Sequence, residues 1–199
     1  MTTNSNDTGG GHTPHKNHPM KPAPRSPAAR LSVKPLRLAA DTNVLLDLVE
    51  RVENVLDALA TIDRRLPNAD RLVTPSVLDE LAFLSDSGQT RQVRAAARKA
   101  IQQLRDEHRF RPLLELPLPP DSAEELAAEI RRRRLLPAEE IHDSLILAES
   151  ALLGCGILLT SDEHLRSIDH EQMTLLLHPY ELAPPVIATP REIVRKFFR

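Results

Sequence analysis

Leu36-Arg37-Leu38-Ala39-Ala40-Asp41-Thr42-Asn43-Val44-Leu45-Leu46-Asp47 is the stretch that decides the fold. Residues 36–40 have the length and apolar character of a short buried strand. A helical stretch follows over about residues 44–64, with a break near Glu50. Asp41 stands at the junction, where the apolar run ends and the helix has not begun.

The pattern repeats along the chain. Residues 71–74 read as a second strand, and Pro75 suits the first turn of a helix over 76–84. Gly88 marks a turn before a long helix, about 89–107. Residues 113–116 read as a short strand or an extended linker, ended by Pro117, Pro119 and Pro120. Ser122 and Glu125 have capping-box spacing and open a helix to about residue 134. Pro137 opens another, which Gly154 stops. Residues 156–160 form a strand, 162–168 a short helix and 174–177 a last strand. Thr189-Pro190 leads into a terminal helix over 191–198. Strands alternating with helices predict an α/β fold, a three-layer α/β/α arrangement around a central, mostly parallel sheet.

That arrangement gives four acids a common destination. Ligands of open parallel sheets bind at the carboxyl ends of the strands. Asp41 follows the first strand, and Asp162 follows the strand at 156–160. Glu80, inside the apolar stretch 77–84, and Asp143, beside Ile141, Leu145 and Ile146, reach the same edge from helices. Four carboxylates in one pocket repel each other unless cations neutralise them. Hard divalent cations with oxygen ligands are the usual solution. Each acid also has a plainer reading, as a helix N-cap for Asp41 and Asp162 and as a solvated helix residue for Glu80 and Asp143. Asp79 rivals Glu80. Glu139 and Glu140 precede Asp143 on one predicted helix face; they extend the cluster or merely suit the helix dipole. His142 and His164 flank motif acids, as surface groups or supports beside the acids rather than ligands.

In these same segments the chain resembles the PIN-domain nucleases. Residues 36–47 resemble that family's opening strand, ending in Asp-x-Asn before a helix. Thr74-Pro75-Ser76-Val77-Leu78-Asp79-Glu80-Leu81 resembles its second motif, a proline with Glu-Leu five residues later. Ile141-His142-Asp143-Ser144-Leu145-Ile146-Leu147-Ala148 resembles the third, and Leu158-Leu159-Thr160-Ser161-Asp162-Glu163-His164-Leu165 the fourth, Thr-x-Asp. Thr189-Pro190-Arg191-Glu192 matches a proline-led closing helix. The resemblance covers about residues 36–199 and implies a PIN-like fold. It implies that Asp41, Glu80, Asp143 and Asp162 bind metal, Mg²⁺ or Mn²⁺ by the carboxylate chemistry. It implies hydrolysis of RNA to 5′-phosphate and 3′-hydroxyl products, with two ions clamping the phosphodiester and acidifying the attacking water. Thr42 and Asn43 are candidates to position a ligand oxygen or water. Thr160 or Ser161 is a candidate to contact a substrate phosphate or to orient Asp162. A VapC-like toxin with an antitoxin partner and a stand-alone RNA-processing protein both fit, and a homodimer is a further expectation from the resemblance.

Bulk properties bound these readings. The 199 residues allow one ordinary domain and an appendage, and 41% hydrophobic with 3% aromatic residues predicts an aliphatic core. Net charge is −2. Residues 1–35 carry five basic residues and one acid, so 21 basic and 27 acidic residues remain for 36–199, a net of −6. Three consecutive glycines and six prolines with few apolar side chains predict that 1–35 is a disordered basic tail. His12, His15 and His18 in it read as polar tail residues rather than a metal site. The single cysteine, Cys155, reads as a small buried thiol. No run approaches membrane-spanning length and no secretory segment is evident, which predicts a soluble cytoplasmic protein. On the 89–107 helix, Arg91, Arg94, Arg98 and Arg105 fall within an arc of about 60°. That stripe and the run 131–134 are solvated faces or contacts for RNA backbone. Aromatics are too few for sequence-specific single-strand recognition to be legible.

Two other classes compete with this one. A phosphotransfer domain is disfavoured, because position 43 is Asn where a dehalogenase-like phosphatase needs Asp. A receiver domain needs a late lysine that the late strands lack. A non-catalytic PIN-fold module that binds RNA or protein is the alternative to the enzyme.

Overall fold

The computed structural model describes residues 35–197. The tail expected over residues 1–35 thus lies, apart from Pro35, outside the described residues. The strands are β1 (Arg37–Ala40), β2 (Asp70–Val73), β3 (Arg111–Pro112), β4 (Ile157–Leu159) and β5 (Val186–Ala188). They form one sheet in the order β3-β2-β1-β4-β5, and every pairing is parallel. The chain steps from β1 outward through β2 to β3, then crosses back to β4 and outward to β5. Right-handed crossovers running in opposite directions place the connecting helices on the two faces.

β1 lies at the centre, and Leu38, Ala39 and Ala40 are wholly buried. α1 (Thr42–Val49) begins one residue after it. The break expected near Glu50 is made by Arg51, whose backbone is left-handed (φ 61°). α2 (Glu53–Arg65) then returns to β2. α3 (Pro75–Ser87) starts with Pro75 in its first turn, and α4 (Arg91–Asp106) packs back along it. α4 buries Ala96, Ala97, Ala100 and Leu104, so small residues let it sit close to its neighbours. The core is aliphatic, as the composition requires, with Phe110 as the aromatic among the largest fully buried side chains. Cys155 is a buried free thiol, and burial pushes it up to about 11. Among the described residues no helix is long and apolar enough to cross a membrane.

Four local expectations need correction. The edge strand is Arg111–Pro112, and of the two readings for 113–116 the linker holds rather than the strand. Arg111 pairs with Asp70 by a 2.7 Å ion pair, Pro112 lacks an N–H and tolerates an edge, and Leu114 points into solvent. The stretch 174–177 is the end of a helix, α8 (His170–Leu177), capped by Asp169. Its buried residues Met173, Leu176 and Leu177 follow helical spacing, and β5 lies later at Val186–Ala188. The capping box at 122–125 does not form: α5 (Ser122–Arg132) is preceded by Asp121 in a left-handed conformation, and Ser122 Oγ donates to Pro119 O instead. Pro137 opens a turn rather than a helix, because α6 (Ile141–Leu152) starts only at Ile141. Its end at Gly154 is as expected, with φ 65°.

A buried acid outside the four motifs holds the ends of α3 and α6 together. Glu149, on α6, accepts the Ser76 backbone N–H at 3.1 Å and the Ser76 hydroxyl at 2.8 Å. It therefore satisfies an otherwise free donor in the first turn of α3, where negative charge is favoured. Glu149→Ala leaves that donor buried and unpaired, which costs about 2 kcal/mol. Urea denaturation should show a lower midpoint at an unchanged slope, with Glu149→Gln intermediate.

Candidate metal centre

The strand order reverses between β1 and β4, and the crevice at such a reversal is where parallel sheets bind ligands. Asp41 sits there because it is the residue after β1, and its N–H continues the ladder to Leu159 O at 3.0 Å. Its side chain is almost fully buried and spoken for on both oxygens. Oδ1 accepts the Thr42 N–H at 2.6 Å, and Oδ2 accepts the Thr160 hydroxyl at 2.7 Å. Thr160, wholly buried after β4, also accepts the Asp162 N–H at 2.9 Å. One hydroxyl thus joins the acids that follow the two central strands.

Asp162 precedes α7 (Glu163–Arg166) and accepts the N–H groups of His164 (2.7 Å) and Leu165 (3.1 Å) through Oδ1. The cap role weighed for Asp162 is therefore real, and its second oxygen stays available. Glu80 is reached from α1: Thr42 Oγ1 donates to Glu80 Oε2 at 2.5 Å. Asp79 is exposed, whereas Glu80 is half-buried and tied to the residue beside Asp41, so the geometry favours Glu80 over its neighbour. Asp143 lies in the first turn of α6, half-buried.

The four carboxylates feel one another. Burial chiefly, and then the charge of Asp162, Asp41, Glu140 and Glu80, pushes Asp143 up to about 7. Burial also raises Asp41 to about 6, against the lowering pull of the Thr160 hydrogen bond and with further upward push from Glu80 and Asp162. Asp143 thus lies within electrostatic reach of the other three motif acids.

The late start of α6 answers what the sequence left open. Glu139 and Glu140 are not on a helix face. Glu140 stands just before the first turn, and its Oε1 lies 2.9 Å from His164 Nδ1. Glu140, Asp143 and His164 each offer a donor atom within 4.8 Å of the others. His164 is thus nearer to the donor set than a surface role suggests. Asn43, Asp47, Ser161, Asp162, Glu163 and His164 line the open side. Asp47 was missed in the sequence reading, although its spacing of four from Asn43 places both on one helix face.

The hydroxyls divide by burial. Thr42 and Thr160 spend their protons on Glu80 and Asp41, so they hold carboxylates rather than face a ligand. Asn43 and Ser161 are exposed on the open side, and the Asn43 amide lies 3.5 Å from Asp41 Oδ2. Carboxylates supplied by four segments, with Glu140, Asp143 and His164 offering donor atoms within 4.8 Å of one another, have the donor chemistry of a hard divalent cation site. Cys155 is buried elsewhere, beside Arg37 and Asp70, so no thiolate joins the set.

The raised carboxyls make the metal-free fold sensitive to pH. Asp41 and Asp143 keep their protons in the folded chain at pH values where they lose them in the unfolded chain. Between their ordinary value of 3.8 and about 7 the folded state binds more protons, so stability falls as pH rises through that window. Asp143→Asn should raise the Tm of metal-free protein at pH 8 by a few degrees and leave it unchanged near pH 4. Thermal scans in chelator at both values check this, and an equal Tm for both chains at pH 8 would contradict it.

A family model described as the PIN domain matches residues 39–171. No curated protein matches the chain in sequence. Among solved structures, one similar chain is from VapBC2 of Rickettsia felis, crystallised bound to a DNA fragment from their promoter. It has 14% identity and a TM-score of 0.49, over 77% of this chain and 98% of that one. The family match spans about two thirds of the sequence, from within the central strand to past the helix that Asp162 caps, and by it the chain belongs to the PIN-domain family.

Proposed function

We propose that this chain is a metal-dependent ribonuclease that hydrolyses phosphodiester bonds at the β1/β4 edge, with Mg²⁺ or Mn²⁺ held by Asp41, Glu80, Asp143 and Asp162. The observation that carries this reading is the hydrogen-bond network at the two central strand ends, where the Thr160 hydroxyl joins Asp41 to Asp162 and the Thr42 hydroxyl holds Glu80 beside Asp41. A folded chain keeps several carboxylates so close at a cost in stability, and a bound cation offsets it. When bound, divalent ions supply Lewis-acid stabilisation of the phosphodiester and acidify the attacking water.

The chain's own residues supply position. Thr160 and the Thr42 N–H fix both oxygens of Asp41, and the Thr42 hydroxyl fixes one oxygen of Glu80. The α7 N–H groups fix one oxygen of Asp162. Such fixed carboxylates present their remaining lone pairs without reorganising, which is how a site gains from orientation. Asn43 and Ser161, on the open side, are placed to hydrogen-bond a phosphate oxygen or a water. Water oxygen attacks phosphorus, the P–O3′ bond breaks, and the products carry 5′-phosphate and 3′-hydroxyl ends.

The motif resemblance also supports a toxin with an antitoxin partner, or a homodimeric stand-alone enzyme. A small antitoxin gene directly upstream is the mark of the toxin. A non-catalytic RNA- or protein-binding module is the competing reading.

Wild-type protein should cleave structured and unstructured RNA with Mg²⁺ or Mn²⁺ and stop in EDTA. Asp41→Asn and Asp162→Asn should each lower the rate by about 100-fold or more, as loss of a group acting on the transition state does, while circular dichroism stays native. Cleavage by both variants at the wild-type rate would refute the site. RNA binding without cleavage under any divalent ion would favour the non-catalytic module.

A further inference from the structure

An acidic pocket does not attract RNA, so the backbone needs cations elsewhere. The two basic runs differ in this respect. At the end of α5, Arg132 and Arg133 are both paired with Glu129, and Arg131 donates to Ser144. On α4, Arg91, Arg94, Arg98, Lys99 and Arg105 form no ion pair among the described residues. No acid occurs on that helix before Asp106. Arg91, Arg94, Arg98 and Lys99 line a shallow surface depression with Ala95 and Gln102, which contains no large apolar side chain for a protein to grip.

This face is connected to the acids by α3. Arg98 Nε donates to Ser85 O at 3.0 Å, and Arg94 donates to Gly88 O at 2.5 Å. Ser85 lies five residues beyond Glu80, about 7.5 Å along the helix axis. Between them stands Phe83, 63% exposed. It lies three residues after Glu80, and helical side chains lean toward the N-terminus, the direction of the turn that carries Glu80. An exposed aromatic one turn from Glu80, followed by cations that form no ion pair among the described residues, has the composition of a single-strand platform, where bases stack and phosphates meet charge.

The geometry points to the outer face of α3 and α4 as a track for single-stranded RNA, with Phe83 stacking a base beside the scissile phosphate and Arg91, Arg94, Arg98 and Lys99 meeting the backbone a few nucleotides away. The inference rests on the ribonuclease reading. Arg94 and Arg98 also cap α3 through its carbonyls, so Arg91 and Lys99 are the cleaner positions to change.

The test uses full-length chain carrying Asp41→Asn, a fluorescein-labelled single-stranded RNA, and anisotropy across a salt series. Adding Arg91→Glu and Lys99→Glu should weaken binding about tenfold or more, and should flatten the plot of log K against log salt by about 1.4, two phosphate contacts' worth. Adding Phe83→Ala should weaken binding about fivefold or more with the slope unchanged. In the active background these changes should raise KM and leave kcat within about twofold. Melting curves equal to the parent show that the variants fold. Unchanged affinity and slope in a chain that still cleaves RNA overturn the track and leave the ribonuclease reading intact. Absent cleavage with face-dependent binding sinks the ribonuclease reading and keeps the track. Conversion of a dimer to a monomer by the charge reversals, at unchanged RNA affinity, assigns the face to protein and overturns the proposal.

Discussion

β1 and β4 pair in parallel at the centre of the sheet, from Leu38 and Ile157 to Ala40 and Leu159, and the ladder runs one step further into polar residues. The Asp41 N–H bonds to Leu159 O, and the Thr160 hydroxyl bonds back to Asp41 Oδ2. A buried carboxylate is tolerable only when its oxygens are satisfied. This pairing satisfies them, and by doing so fixes where the first acid of the site points. Asp162 takes its position from the same hydroxyl, and Glu80 from the residue next to Asp41. The sheet therefore does more than scaffold the site, because its central pairing and the site's first hydrogen bonds are one network.

Placing like charges together opposes folding, and the chain distributes that cost. Asp41 is buried but receives strong donors, while Asp143 is half-buried, and burial with the neighbouring acids pushes its carboxyl up. The fold anchors Asp41, Glu80 and Asp162 through Thr160, Thr42 and the start of α7.

Much of this was legible in the residues. Asp41 and Asp162 were placed by strand ends and by the motifs around them, since a carboxylate directly after a buried run can occupy few positions. Glu80 against Asp79 was not, because adjacent helix residues differ by 100° and only the contact with Thr42 separates them. The run Thr174-Leu175-Leu176-Leu177 misled as a strand because a short apolar run carries no period of its own. The preceding Asp169 cap and buried Met173 show the helix that it ends. Pro137 misled in the same local way: proline permits a first helical turn but does not compel one.

The sequence alone determined the alternation of strands and helices, the aliphatic core and the four acids with their motifs, because these depend on neighbours within a few residues. Tertiary structure decided what depends on distant partners. It chose β5 by pairing it with β4, turned Glu140 toward His164, and committed the Thr42 and Thr160 hydroxyls to carboxylates. Each of those outcomes is a contact between segments tens of residues apart, or a choice among several partners within reach, and chain-local patterns of hydrophobicity and charge do not encode which one forms.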